Sequence, residues 1–532
     1  MSFGTSFALT TRPTIMGRNA AVVAGHQLAA QAGMRMLRAG GNAIDAAIAI
    51  AAAAAVLKPD ACGLGSDLFL LFAKAATGEV FALNASGPAP QLATRDAFPN
   101  GVEHLGLRAA SVPGAVDGWY RAIARFGRLA LGAVLAPAIE LAKGAPVSTL
   151  FASTLAKNED ALQRFPETYR VYYPNGRAPR AGEVLVQSDL ARTLEGIASQ
   201  GPQSFYRGAF ARALDEYSRA SGALLRAEDL AGYESEWREP LRATYRGYEL
   251  IGQPPPSVGI AVLEAMQILE HVPIRNLDDS SAERIHVQVE AMKIAMSDMR
   301  GHLGDPKFVS ERAVPELLDP KYAALRAKEI DPAHALEHRA ASLLAQAGTD
   351  TSYAAVVDAD GNAVSMLQSV YHVFGCGEVI PGTGALLNNR MTGFSLDPSS
   401  PNVLEPGKRT MHTLNPLLVR KDGRAAICLG TPGGPSQTYT NMELLTRLID
   451  DRLEPQRAID APRWFVTPSG ELNVERDVSS EVRAALAARG HRVVDFPAHS
   501  ASFGGAGIIV VNPANVREAA ADPRRETYAL AC

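Results

Sequence analysis

Hydrophobic and polar positions organise the chain first into helices and then into strands. Leu28, Gly33, Met36 and Leu37 recur at the spacing of one buried helix face, Gly40-Gly41-Asn42 stops the pattern, and an alanine-rich run from Ala43 to Leu57 follows. This predicts two helices within residues 26–57. Short apolar runs at 68–72 and 80–83 flank Ala76-Thr77-Gly78, which is a hairpin signal. Helical periodicity dominates from 115 to 300, and the breaks at Gly201-Pro202 and Gln253-Pro254-Pro255-Pro256 read as loops inside one helical region. Residues 325–349 are rich in Ala, Glu, His and Arg without an apolar stripe and read as a mobile or weakly packed connector. At 351 the character changes abruptly to strands. Strand-like runs at 352–357 and 362–369 flank Asp358-Ala359-Asp360-Gly361, and runs at 414–419 and 425–429 flank Lys421-Asp422-Gly423. A helix is expected over 436–450. No tandem repeat is present.

Composition narrows the function classes. The 532 residues carry 52 Lys+Arg against 56 Asp+Glu, a formal charge of −4, which offers no field for a phosphate backbone and excludes a nucleic-acid partner. Four cysteines, at 62, 376, 428 and 532, are too scattered for a disulfide framework or a zinc ribbon, so a reducing compartment is expected. The N-terminus has no apolar h-region, and the run Ala43–Leu57 contains Asp45 and is shorter than the roughly 20 residues of a bilayer span. A cytoplasmic chain without membrane contact is the expectation. Length alone predicts more than one core, since single cores stop growing at about 250–300 residues.

Two stretches carry candidate chemistry. Gly430-Thr431-Pro432-Gly433-Gly434-Pro435 joins a predicted strand to a predicted helix, where unshielded N–H groups at a helix start can face a developing anion. A tight strand-to-helix turn explains the same glycines. Thr351 stands at the start of the strand region, where a threonine is ordinarily a β-former. The alternative is cleavage of the Asp350-Thr351 bond by the threonine's own hydroxyl. That would free an α-amine with a reference pKa of about 7.7–8.0, able to act as base for the same residue's nucleophile. His286 and Glu290 lie one helical turn apart, but without a third ligand they read as a helix-face hydrogen bond, and no metal or cofactor is implied. Serine-hydrolase, zinc-protease and dinucleotide motifs are absent.

The chain resembles the γ-glutamyltransferase family of N-terminal nucleophile hydrolases over nearly its whole length. The resemblance rests on LRAGGNAIDAAIA at 37–49, KPDACGLGSDLF at 58–69, SVPGAVDGW at 111–119, QPPPSVGI at 253–260 and HVQVEAMKIAMSDMRGHLGDP at 286–306. It continues with DTSYAAVVDADGNAVS at 350–365, LLNNRMTGFS at 386–395, GKRTMHTLNP at 407–416, GTPGGP at 430–435 and ADPRRE at 521–526. It implies an α+β fold, a four-layer αββα sandwich, made as a precursor that cuts itself between Asp350 and Thr351. Segments 1–350, large and mainly helical, and 351–532, small, would then remain in one intertwined fold as a heterodimer, with further dimerisation left open. Thr351 falls on the family's catalytic threonine, Gly433 and Gly434 on its oxyanion-hole glycines, and Ser369 where a second threonine commonly assists.

Departures from the family pattern bear on the substrate. The arginine that clamps a substrate carboxylate is missing from Asn84-Ala85-Ser86-Gly87-Pro88-Ala89-Pro90, and the aspartate that receives the α-ammonium is replaced by Gly393. A serine pair becomes His412-Thr413, an asparagine becomes Tyr371, and a glutamine becomes Arg390. With the ammonium's anionic partner gone and a cation added, the expected substrate is a small amide whose acyl group carries a carboxylate but no α-amino group. Arg390 would be the anchor and His412, Thr413 and Tyr371 the polar wall. Glutaryl-type cephalosporin acylases and oxamate amidohydrolases are comparable branches, and the oxamate branch is the nearer by analogy. A γ-glutamyl transferase with a rearranged head-group site and a non-processing binding protein are the rival readings. The family's histidine two residues after the nucleophile is here Tyr353, which puts processing speed in question.

Overall fold

The structure, a computed structural model, describes residues 10–337 and 350–532. Two seven-stranded antiparallel sheets form its centre. The first runs in the order Ile15–Gly17, Arg517–Ala521, Gly507–Val511, Arg424–Gly430, Leu417–Lys421, Tyr248–Gly252 and Leu241–Tyr245. The second runs Tyr528–Ala531, Ala21–Ala24, Asp350–Val357, Ala363–Tyr371, Asp67–Ala73, Val80–Ala85 and Glu236–Arg238. Each sheet takes strands from both sides of residue 351.

Strand alternation sorts the side chains into layers. Phe69, Leu71, Tyr353, Ala355 and Leu367 face inward and meet Ile251, Leu418, Cys428 and Ile509 of the other sheet. Their neighbours Leu68, Leu70, Ala354, Val356 and Met366 face outward, onto helices that include Gln27–Arg38 and Ala43–Leu57. On the far side, Leu250, Leu417, Val419 and Leu429 pack on Gly259–Glu270, Ala282–Arg300 and Ser436–Ile449. The result is the αββα sandwich of N-terminal nucleophile hydrolases. The alanine-rich helix Ala43–Leu57 is buried along its entire length. Its Asp45 closes a capping box with Asn42 and also accepts from the N–H groups of Arg128 and Leu129, which accounts for an acid inside an apolar run. Among the described residues no helix is long and apolar enough to cross a membrane.

The helix pair, the three hairpins and the helix after the glycine loop lie where the pattern puts them. Two expectations need correction. The region 115–300 is not purely helical: Glu236–Arg238, Leu241–Tyr245 and Tyr248–Gly252 are sheet strands, and Gln253–Pro256 joins the last of them to a helix. These strands are three to five residues long; the last two form a tight hairpin, while Glu236–Arg238 and Tyr248–Gly252 join the sheets through partners far away in sequence, and runs this short do not stand out in local periodicity. The connector is not loose where it is described. His286 Nε2 meets Asp331 O at 2.7 Å, Glu290 Oε2 accepts from Leu336 N at 2.6 Å, and Ala335 N donates to Arg489 O at 2.7 Å. The rest of the connector, 338–349, lies outside the described residues.

Candidate active site

Thr351 lies at the start of the strand Asp350–Val357, buried to 4% exposure. Strand pairing places it opposite a bulge: Asp350 pairs with Tyr371 and Ser352 with Gln368, so Thr351 faces both Ser369 and Val370. Ser369 in turn pairs with Asp67 on the next strand. Because directly opposed residues share a face, Thr351, Ser369 and Asp67 point into the space between the sheets, in line with Tyr353, Leu367 and Phe69. Ser369 Oγ accepts from Tyr371 N at 2.8 Å. The side chain of Asp350 lies outside the described residues.

The glycine loop approaches from the first sheet. Leu429 O accepts from Ser365 Oγ at 3.2 Å, and Gly430 lies against the Tyr353 ring so closely that a Cβ there would be 2.4 Å from Tyr353 Cε2. The chain therefore advances toward Thr351 as it enters the loop. Gly433 has φ +131° and Gly434 +56°, and a Cβ on Gly433 would stand 2.4 Å from Ser436 Oγ. Only glycine suits that backbone and that space. Neither Gly433 N–H nor Gly434 N–H has an acceptor among the described residues. The helix Ser436–Ile449 starts two residues later, so both amides sit at its partly positive end. Gly433 also lines a cleft of about 570 Å³ together with Lys58, Asp60 and Asn158.

Arg390 is fully buried. Its Nε donates to Asp67 Oδ2 at 2.8 Å, its guanidinium carbon lies 4.1 Å from the Tyr371 ring centroid, and Nη1 and Nη2 have no partner. His412 is equally buried, edge-on to Phe69, and neither ring nitrogen has a partner. Burial, with Arg390 and Arg409 adding to it, holds His412 well below the usual histidine pKa, so the ring is neutral. Four buried polar nitrogens without hydrogen-bond partners, three of them donors and one an acceptor, are expensive, and they sit next to the Thr351–Ser369–Asp67 row. Thr413 is buried beside them, its carbonyl accepting from Asn415 Nδ2 at 2.6 Å.

The structure also accounts for Gly393. A Cβ there would be 3.3 Å from Tyr371 Oη and 3.1 Å from Thr410 Oγ1, so Tyr371 fills the space that an aspartate would need. The Asn84–Gly87 stretch is not empty of charge: Arg409 Nε donates to Ser86 O at 2.9 Å, and Gly87 N donates to Asp67 Oδ1 at 2.9 Å. Tyr353, where a histidine would stand in the family pattern, is a buried wedge between the sheets. Its hydroxyl meets Ser365 Oγ at 3.0 Å, and burial raises its pKa well above that of a free tyrosine.

Asp67 and Lys58 are absent from the set picked out by sequence. Asp67 had a signal, as the one acid in the apolar stretch Gly63-Leu64-Gly65-Ser66-Asp67-Leu68-Phe69-Leu70-Leu71. His286 and Glu290 do acquire a third neighbour, His491, with ligand atoms within 4.8 Å of one another. His286 Nδ1 and His491 Nε2 meet at 2.8 Å, however, and Lys293 Nζ donates to Glu290 at 2.8 Å. The cluster is a hydrogen-bonded tie that already holds its own cation.

A gamma-glutamyltranspeptidase family model matches residues 29–532. The chain belongs to the gamma-glutamyltranspeptidase family. It is 38% identical over 528 residues to the glutathione hydrolase-like YwrD proenzyme of Bacillus subtilis (strain 168), covering 97% of this chain and 99% of that protein. It is 36% identical over 519 residues to the oxamate amidohydrolase proenzyme of Klebsiella pneumoniae subsp. pneumoniae, covering 94% and 96%. The crystal structure of cephalosporin acylase from Bacillus halodurans superposes with a TM-score of 0.90 at 36% identity, covering 100% of this chain and 99% of that one. Equal identity to an acylase and to an oxamate amidohydrolase leaves the choice of branch to the chemistry of the site.

Proposed function

We propose that the chain is an autoprocessing amidohydrolase. The Asp350-Thr351 bond is cut to give segments of 350 and 182 residues that stay in one fold. Thr351 Oγ then attacks the amide carbonyl, and the freed α-amine of Thr351 takes the hydroxyl proton. The Gly433 and Gly434 N–H groups stabilise the oxyanion. The C–N bond breaks as that proton passes to the leaving amine, and a threonyl ester remains. Water, giving its proton to the same amine, releases the acid and restores Thr351. Ser369, across the bulge, positions Thr351.

The acyl group carries a carboxylate and no α-amino group. The observation that carries this reading is the Arg390–His412 pair, with four buried nitrogens lacking hydrogen-bond partners beside the Thr351 row. A planar carboxylate supplies two acceptors to the two Nη groups of Arg390. Tyr371, packed over Gly393, supports the absence of an ammonium site. Relatives named as an acylase and an oxamate amidohydrolase support amide cleavage, and others named as glutathione hydrolases make the acyl group a matter for the assay below.

Two measurements test it. Intact mass should show the 56.4 kDa chain converting into two fragments, with a new N-terminus at Thr351, whereas Thr351→Ala stays uncut and inactive. A chain that never cleaves refutes the processing claim. Oxalyl, succinyl and glutaryl p-nitroanilides should then be hydrolysed in preference to γ-glutamyl p-nitroanilide. The opposite order would favour a γ-glutamyl transferase.

A further inference from the structure

The cleft that Gly433 lines is separate from the Arg390–His412 pair, neither of which borders it. Lys58 does border it. This residue ends the buried helix Ala43–Leu57, its N–H donating to Ala54 O at 2.8 Å, and only 7% of it is exposed. Its stem passes Gly25: a Cβ there would lie 3.7 Å from Lys58 Cδ and 3.1 Å from Ser352 Oγ. The ammonium arm therefore runs beside the residue that follows Thr351. Among the described residues Lys58 Nζ has neither a hydrogen bond nor an ion pair, and it is not sealed from solvent, so it opens to the cleft. A largely buried stem that presents its ammonium to a cleft is placed to meet an anionic ligand there.

The surrounding charges favour an anion. Lys157, on the helix Thr149–Leu162, borders the same cleft, and so does Arg525, whose Nε donates to Ala501 O at 3.1 Å and which has a further partner of its own. Asp60 is the acid among the described lining residues, and it has a partner of its own. Glu526, whose charge also acts on His26, accepts from Leu150 N at 2.9 Å. His26 itself is held near pKa 4, first by burial and then by Lys58, so it adds no charge at neutral pH.

We infer that Lys58 binds a carboxylate on the leaving amine, so that the substrate is an amide between a dicarboxylic acid and an amino acid or peptide. This rests on the amidohydrolase reading above and names the half of the substrate which that reading leaves open. Arg390 holds the acyl carboxylate on one side of Thr351, and Lys58 holds the departing carboxylate in the cleft on the other.

Matched pairs test it: succinyl- and glutaryl-glycylglycine against the same acyl groups on glycylglycinamide, which differ only in the terminal carboxylate. The processed enzyme should prefer the free acids by about tenfold in kcat/KM, a preference that shrinks with added salt. Lys58→Met should collapse the ratio toward one, and Lys58→Arg should keep most of it. Equal rates on acid and amide by the native enzyme overturn the inference while leaving the amidohydrolase reading intact. A ratio that survives in Lys58→Met also overturns it. If neither pair is hydrolysed by cleaved enzyme, the substrate reading beneath it falls as well. Should Lys58→Met fail to process, the native ratio and its salt dependence still decide.

Discussion

Replacing Arg390 by methionine probes structure and specificity together. Its guanidinium is fully buried, paired through Nε with Asp67 and stacked on Tyr371. Removing it leaves Asp67 with Gly87 N–H and only the weaker pull of Arg409, and breaking a buried pair from one side costs about 3–5 kcal/mol. Burial already pushes the Asp67 carboxyl above its usual range against the pull of Arg390, so without Arg390 it binds a proton in the folded state more readily. A folded-state pKa raised above the unfolded one gives stability that is complete at low pH and is lost as pH rises. Arg390→Met should therefore be destabilised more at pH 7 than near pH 4.5, just above the unfolded carboxylate range, and Arg390→Met/Asp67→Asn should recover most of the loss. Urea unfolding of the four proteins of this cycle measures the coupling. For catalysis, losing one partner of a buried charge pair costs about 2–5 kcal/mol, or roughly 30-fold and upward. The assay is the kcat/KM ratio between glutaryl p-nitroanilide and its methyl ester, taken on the processed double variant. If that variant keeps the native preference for the free carboxylate, Arg390 is not the anchor.

Further predictions follow from the loop and from the buried histidines. Gly433→Ala must abandon φ +131° and displace Ser436 Oγ, so turnover should fall by about 10²- to 10³-fold with the fold retained; an alanine enzyme with native kcat would remove Gly433 from the oxyanion site. Burial holds His26 near pKa 4 and His491 near 3, against about 6.5 for an unfolded histidine. The unfolded chain therefore binds protons that the folded one refuses, and stability is lost as pH falls from 6.5 toward 4, by up to about 1.4 kcal/mol per pH unit for each group. His26 Nδ1 accepts from Leu28 N at a helix start, a role asparagine can fill, so His26→Asn should flatten its share of that loss in urea unfolding at pH 7 and pH 5. An unchanged acid slope would refute the assignment.

The sequence by itself determined the order of the major elements, because helix and strand periods at 27–57, 352–369 and 417–449 are local properties of neighbouring side chains. It also offered the candidate chemistry, a threonine where the strands begin and a Gly-Gly loop before a helix, each with a plainer reading until the family resemblance gave it weight. It missed the short strands between Glu236 and Gly252, which are too brief to show a period and are tied into the sheets through partners in distant segments. It could place Arg390 near a substrate by resemblance, but could not tell an inward guanidinium from an outward one. Tertiary structure decided that: the register of three strands brings Ser369 beside both Thr351 and Asp67, and Asp67 draws Arg390 inside. Pairing is set by hydrogen bonds between segments some 300 residues apart, and sequence spacing carries no record of which ones meet. The same limit hid Lys58, whose missing partner is a property of the space around it.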